Sequence, residues 1–288
     1  MSTQHHVSRQ AHHMRISYPT SLSQRVYRLL LLPLLTLAAV FVLVQWFGTT
    51  HAHNPNQLSV GVVFAALGAT LLRLVASYLL ALAVALPLAL AVTHNKMAER
   101  VLLPFFDIMQ SLPVLAFFPI IAIFFVHYGL YELAAIFILF ITMLWSIVFS
   151  LVGGLHSIPE DIKDAGKIFG LSGFSYIQKI LLPASVPYLV TGSLLAWASG
   201  WNIVIVAEVL HTYLPVTTTG LPPASAGLPG AGASSDLFGI GSVLVNASAL
   251  GEQHTFLVAI VVMVAAISLL NLFVWQKLLK YAERFKFE

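Results

Sequence analysis

Of the chain's 288 residues, 59% are hydrophobic and only 9% are charged, with a mean hydropathy of +0.90. A soluble domain is roughly a quarter charged, so this composition excludes a water-soluble particle and makes the bilayer the solvent for most of the chain. The net charge of +3 and the pI near 9.2 do not point to nucleic acid, because the basic residues form no single patch. No cysteine is present, which excludes disulfides, thiolate metal sites and cysteine nucleophiles.

Residues 1–28 are polar and carry Arg9, Arg15, Arg25 and Arg28 ahead of the first apolar run. They read as a disordered cytoplasmic tail, and His5, His6, His12 and His13 within it as solvated residues in preference to metal ligands. The first apolar run closes on Gln45-Trp46-Phe47 without a small-residue cleavage site, so it is expected to be an uncleaved span.

A membrane-crossing helix needs about 20 mostly apolar residues, and six segments meet that test, at 29–47, 68–93, 103–127, 132–154, 184–208 and 255–277. Helices are expected throughout, since isolated open strands leave backbone polar groups unsatisfied in lipid. Residues 29–64 form the first span and its outer connection. Residues 60–72 are apolar but follow no inner loop, and are expected to be an outer-surface lead-in to the second span.

The fourteen Lys and Arg residues settle the expected orientation. With both termini inside, only Arg73 falls outside the tails and the two inner loops, and the stretches 101–162 and 180–276 contain none. That distribution is the positive-inside pattern. Arg73 itself has two readings. It either snorkels or pairs with a buried acid, which is the preferred reading, or it lines the permeation path.

The third span is interrupted by Pro104, Pro113 and Pro119. Proline removes a helix donor, and such breaks in membranes face protein or a cavity. Gln110 and Ser111 beside Pro113 are therefore candidate path residues, with an ordinary kinked packing helix as the alternative. Asn202 and Glu208 in the fifth span are candidates by the same argument, since an intramembrane acid is a functional candidate by default. For Glu208 a structural pairing, with Arg73 among the partners considered, is equally open. Trp46, Trp145, Trp197, Trp201 and Trp275 read as packing or interface anchors. The outer loop 211–254 divides into a Pro/Gly/Ser/Thr-rich part at 215–235 and a more ordered part at 236–250 that contains Gly239-Ile240-Gly241. No internal repeat is evident.

The inner loop 157–183 carries the densest signal. Ser157-Ile158-Pro159-Glu160 has the form of a capping box with an early proline. A short amphipathic helix is expected over 160–169, with Ile162, Ala165, Ile168 and Phe169 on one face and Gly170 at its C-terminal end. Ser172 is placed to cap a second short helix reaching Lys179, and Pro183 marks entry into the fifth span. From residue chemistry alone this is either an interfacial hairpin or a docking element for a cytoplasmic partner.

Asp164-Ala165-Gly166, then Gly170, Ile180 and Leu182-Pro183, resemble at intact spacing the inner-loop signature of permease subunits of binding-protein-dependent type I ABC importers. Asp replaces the usual Glu, and Gly166 replaces the second Ala. Ser111-Leu112-Pro113-Val114-Leu115-Ala116-Phe117-Phe118-Pro119, Trp201, Ala207-Glu208 and Ala282-Glu283-Arg284-Phe285 resemble the nitrate/sulfonate/taurine branch, and the likeness covers about residues 65–285. The resemblance implies an all-α membrane protein of six transmembrane helices in a bacterial inner membrane, with cytoplasmic termini. It further implies coupling through Asp164, Ala165, Gly166, Gly170, Ile180, Leu182 and Pro183 to a pair of cytoplasmic ATP-binding subunits. A second permease, identical or homologous, and a periplasmic or lipid-anchored solute-binding protein complete the implied assembly. Small side chains at Ala165 and Gly166 would then allow close approach to the ATPase.

The chain has no Gly-rich phosphate loop, so ATP and Mg are expected on the partner, with no cofactor, metal or catalytic residue here. The implied solute is a small anion such as a sulfonate, taurine or nitrate. Two rivals differ in class. A secondary transporter or channel working without an ATPase needs more intramembrane charge than the chain offers. An intramembrane serine protease is suggested by Gly170-Leu171-Ser172-Gly173, but that serine lies in a charged inner loop.

Overall fold

The computed structural model describes residues 60–128, 130–209 and 237–285. The expected span at 29–47, the N-terminal tail and the Pro/Gly-rich stretch 215–235 lie outside the described residues. Among the described residues the chain is helical, with no strand.

Helix α1 (Val60–His94) is followed by α2 (Lys96–Ser111), α3 (Val114–His127), α4 (Tyr131–His156) and the short α5 (Glu160–Ile168). One helical turn, α6 (Gly173–Tyr176), leads through a π-turn (Ile177–Leu181) into α7 (Leu182–Glu208). Helix α8 (Ile240–Ala249) precedes α9 (Gln253–Leu270), a second π-turn (Asn271–Trp275) and α10 (Gln276–Ala282). Four helical stretches are long and apolar enough to cross a membrane, at Gly61–Thr93, Tyr131–His156, Ile177–Glu208 and Gln253–Phe285. The pair α2 and the first part of α3 (Val114–Ile121), bent by 85°, makes a fifth if the two are counted as one broken span. These match the second to sixth expected spans.

Three boundaries differ from expectation. Residues 60–72 are not a separate surface lead-in but the first turns of α1, a helix of 35 residues. At 1.5 Å per residue it is about 52 Å long, more than the ~30 Å hydrocarbon core. Its early part is helical because it has something to pack against: Val63 and Ala66 are buried with Ile240, Val243 and Leu244 of α8 and Ala259 and Val262 of α9.

The third span is broken at one of its three prolines. The residue before a proline is pushed out of helical conformation, and Leu112 has ψ of 127°. Pro104 and Pro119 stay inside helices, where packing outweighs the same penalty; Phe118, preceding Pro119, is fully buried.

The second inner-loop helix does not stop near Lys179. It runs through the π-turn into α7, so Pro183 lies within a continuous helical stretch, directly after the wider π-turn.

Helix α4 is the hub, lying between α1 and α7. Lipid tails are as apolar as leucine, so helices in a bilayer associate through close packing and interhelical hydrogen bonds. The facing surfaces are accordingly small. On α1, Ser77, Ala81, Ala85 and Ala89 are all fully buried at four-residue spacing, and Ser77 Oγ donates to the Ile136 carbonyl of α4 at 3.0 Å. On α7 the corresponding stripe is Gly192, Ala196 and Gly200. A methyl group on Gly192 would lie 2.6 Å from Ser150 Cβ and 3.1 Å from the Ser146 carbonyl oxygen. Aromatic side chains fill the flanks: Trp197 meets Trp275 edge-on with centroids 6.1 Å apart, and Trp145 meets Phe106 at 5.6 Å.

This packing separates two glycines of similar helical setting. Gly192→Ala is expected to lower stability by about 1–3 kcal/mol through overpacking, read as a lower midpoint in thermal unfolding of the detergent-solubilised chain. At Gly153 a methyl group would meet no atom within 4 Å, so Gly153→Ala is expected to be neutral or to stabilise by up to ~1 kcal/mol. Equal losses at both sites would show that the α4–α7 contact is not what limits stability.

Candidate coupling loop and outer charge cluster

At the end bearing the basic loops, α4 stops at His156 with Ser157 as its C-cap. The Ser157 hydroxyl lies 2.8 Å from the Gly154 carbonyl oxygen and 2.6 Å from the Tyr188 hydroxyl. It therefore serves the preceding helix and α7, and the expected capping box with Glu160 is not formed. Pro159 does that work through its backbone, its carbonyl accepting from the N–H groups of Ile162 and Lys163 at 3.1 and 3.3 Å. Glu160 and Asp161 in the first turn of α5 oppose the positive helix end.

The far end of α5 closes as the glycine predicts. Gly170 has φ of +68°, and Leu171 N–H donates to the Gly166 carbonyl at 3.0 Å. That six-to-one bond over a left-handed residue is the Schellman ending. At the tip, Ile168 and Phe169 are 84% and 81% exposed. Two large apolar side chains thus stand in the open at the C-terminal end of a short helix.

Of the expected coupling residues, Asp164 and Gly170 are exposed, Leu182 is 39% exposed, and Ala165 and Pro183 are half-buried. Gly166 does not face outward. It is buried against its own chain, and a methyl there would lie 2.9 Å from the Tyr176 ring and 3.3 Å from Ile180 Cγ1. Its small size lets α5 lie against the helix leading into α7 and does not open the surface of α5 outward. Ile180 thus meets Gly166 within the loop, on the inner side of α5.

The four expected path residues are not brought together. Gln110, Ser111 and Asn202 are exposed on this chain, while Glu208 is fully buried. Ser111 Oγ donates to the Asp107 carbonyl at 2.7 Å at the α2–α3 elbow.

Glu208 belongs instead to a charge cluster at the opposite end of the bundle. Arg73, 6% exposed, makes a two-point contact with Glu132, Nε to Oε2 at 2.6 Å and Nη2 to Oε1 at 2.7 Å. Its Nη1 donates to Glu208 Oε1 and to the Phe238 carbonyl, both at 2.9 Å. The pairing reading of Arg73 is thus the observed one. Glu208 also receives the Gly241 N–H at 2.7 Å and lies 2.7 Å from Thr70 Oγ1, which accepts from Ile240 N–H at 2.9 Å. Gly239 is obligatory here, because a side chain would run into the Glu208 carboxylate. An isolated charge is too costly to bury; this one is held by a cation, a hydroxyl and the N-terminal N–H of α8.

Sequence reasoning missed Glu132 and Thr70. A signal was available for Glu132: the single cation inside a span calls for counter-ions, and Glu132 opens the fourth span. Thr70 offered none, since a lone hydroxyl on an apolar helix is common.

Comparison with known proteins supports one grouping. Residues 79–281 match the family model described as binding-protein-dependent transport system inner membrane component. The chain is 32% identical over 148 residues to a nitrate import permease protein, NrtB, of Leptolyngbya laminosa, covering 51% of this chain and 52% of that one. It is 30% identical over 142 residues to a bicarbonate transport system permease protein, CmpB, of Synechococcus elongatus, covering 49% and 50%. A putative ABC transporter permease of Methanocaldococcus jannaschii is 29% identical over 138 residues, 48% and 51% of the two chains. The chain spans about half the length of the curated relatives it matches. With the family model covering most of a helical, multi-pass bundle, the chain belongs to the inner-membrane components of binding-protein-dependent transport systems.

Proposed function

We propose that this chain is the permease subunit of an ATP-driven importer, lining the solute path and coupling through α5 to a separate cytoplasmic ATPase. The observation that carries the reading is α5 itself. A nine-residue helix with two exposed apolar side chains at its tip, Ile168 and Phe169, ends on a left-handed glycine, and after a two-residue turn the chain re-enters helix at Gly173 and runs on into a long membrane helix. Adjacent large apolar side chains left in the open mark an interaction site, and a push on this one would pass to α7, against whose leading turn α5 lies. Asp107, Gln110 and Ser111 are exposed at the α2–α3 elbow, where lipid would be a poor environment for a carboxylate. A water-filled path shared with a second permease subunit suits them better. The ATPase pair, that second permease and a solute-binding protein are partners in this proposal, as is the use of ATP and Mg on the ATPase.

For the solute we propose a small monovalent oxyanion, with nitrate first. Nitrate and bicarbonate appear in the names of the relatives NrtB and CmpB, and both are planar oxyanions of similar size. A sulfonate falls in the same chemical class. Arg73 is not offered to such a solute: it is buried, two carboxylates face it, and four of its five N–H donors go to Glu132, Glu208 and Phe238.

The test is purification of the chain in mild detergent, with mass spectrometry of what accompanies it and an assay of ATP hydrolysis. A nucleotide-binding subunit is expected to co-purify, and nitrate presented with the recovered binding protein is expected to stimulate hydrolysis. Solute movement by the pure chain with no ATPase present would establish a secondary transporter or channel instead.

Gly170 gives a sharper check. No atom lies within 4 Å of an added methyl, so substitution acts through the left-handed backbone, at about 1–2 kcal/mol for an L-residue. Gly170→Trp is expected to leave the bundle folded while stimulated hydrolysis falls roughly tenfold or more, because the docking helix is misaimed. Ser172→Ala, by contrast, is expected to keep stimulated hydrolysis within about twofold, as for a surface substitution. Loss of function at Ser172 with tolerance at Gly170 would argue for the protease reading.

A further inference from the structure

Helix α8 is too short to cross the membrane, at 10 residues, and it sits at the end of the bundle that the charge pattern places outside. Its apolar side packs on α1 and α9 in a small cluster separate from the main core. What fixes its position is polar. Four backbone groups of residues 237–241 are held from outside that segment: Leu237 N–H by the Glu208 carbonyl at 3.0 Å, the Phe238 carbonyl by Arg73, Ile240 N–H by Thr70, and Gly241 N–H by the Glu208 carboxylate.

Two of those four anchors come from one residue, and that residue is the last of α7. The helical stretch Ile177–Glu208 is 32 residues long, about 48 Å at 1.5 Å per residue. It begins next to α5 and ends in the carboxylate that seats α8. A continuous helix joining two sites is one physical route for coupling, provided each end makes different contacts in different states.

The charges allow α8 to leave without stranding a buried ion. Arg73 is matched by Glu132 on α4 through two hydrogen bonds independent of α8, and Glu208 keeps Arg73 and Thr70. Undocking removes only backbone partners from these charges and exposes the freed backbone groups to water; its remaining cost is uncovering Ile240, Val243 and Leu244, which pack in the α1–α9 cluster.

We propose that Glu208 is a positioning residue that docks α8 on the outer face and transmits movement of the inner loop to it through α7. The inference rests on the importer reading above and deepens it: α8 is the outer element that changes position during the ATP cycle. Glu208 touches no solute in this role and acts through the Gly239–Gly241 turn.

The natural absence of cysteine makes the test direct. Val243 of α8 is 5% exposed and packs in the α1–α9 cluster, so Val243→Cys reports docking through its reaction with a membrane-impermeant maleimide applied from outside. In the assembled complex in membrane vesicles, the labelling rate is expected to differ at least about fivefold between the nucleotide-free and vanadate-trapped states, the lower end of typical coupling. Adding Glu208→Gln is expected to make labelling fast in both states. Equal rates in the two states with Glu208 intact would overturn the proposal, as would a nucleotide-dependent rate that survives Glu208→Gln.

Should Glu208→Gln fail to assemble, Thr70→Val replaces it, removing the hydroxyl between Glu208 and Ile240 N–H at nearly constant shape. Faster nucleotide-free labelling is expected there as well, and a rate like the Val243→Cys parent in both states overturns the proposal. The nucleotide-free comparison needs only this chain. A missing ATPase partner would therefore sink the importer reading while that comparison still decides whether Glu208 holds α8.

Discussion

Inside a bilayer no hydrophobic force drives one helix against another, and the architecture depends on that constraint. What remains is dispersion at close approach and the hydrogen bond that has no water to compete with it. Helix α4 is the hub because α1 and α7 present it with narrow stripes of Ser, Ala and Gly. Ser77 reaches the Ile136 carbonyl, and Gly192 admits Ser150 at a distance no side chain would allow. The large aromatic residues flank these seams, Trp145 of α4 meeting Phe106 of α2 and Trp197 of α7 meeting Trp275 beyond α9.

The same constraint explains where the charges are. Arg73, Glu132 and Glu208 come from three different helices and meet at one end. Arg73 and Glu208 are buried and each alone would be expensive in lipid, whereas the Glu132 side chain is 61% exposed; together they form a cluster that also absorbs the backbone of the turn before α8. Removing one partner from such a cluster leaves the others uncompensated, which is why breaking a buried pair is typically far more damaging than replacing it whole. The cluster at one end and α5 at the other are joined by α7, so the two polar regions of an otherwise apolar bundle share one continuous helix.

Several features could be read directly from residue order. The spans from the second to the sixth were legible because twenty-residue apolar runs have few alternatives, and Gly170 because a helix-ending glycine after an amphipathic segment has one common geometry. The ordering of 236–250 and the Arg73 pairing were also foreseeable. Other features were not. Ser157 looked like an N-cap, but its hydroxyl is used by Gly154 and Tyr188, the latter brought near only by the fold. Gly166 looked like an outward-facing small residue, yet it faces Tyr176 and Ile180. Of three prolines in one span, nothing local distinguished Pro113 as the one that bends the chain.

By itself, then, the sequence determined the solvent, the number and direction of crossings expected for this stretch, and the presence of a short capped helix between two of them. These follow from hydropathy, basic-residue placement and turn chemistry, all of which act over a few residues or along one helix. Only the tertiary structure decided which polar groups satisfy one another. Arg73 and Glu132 are 59 positions apart, Arg73 and Glu208 are 135 apart, and Thr70 and Ile240 are 170 apart. Pairings at that range depend on which helices lie side by side, and that is set by the fit of small side chains across the seams of α4, a property of surfaces in contact and not of any one segment.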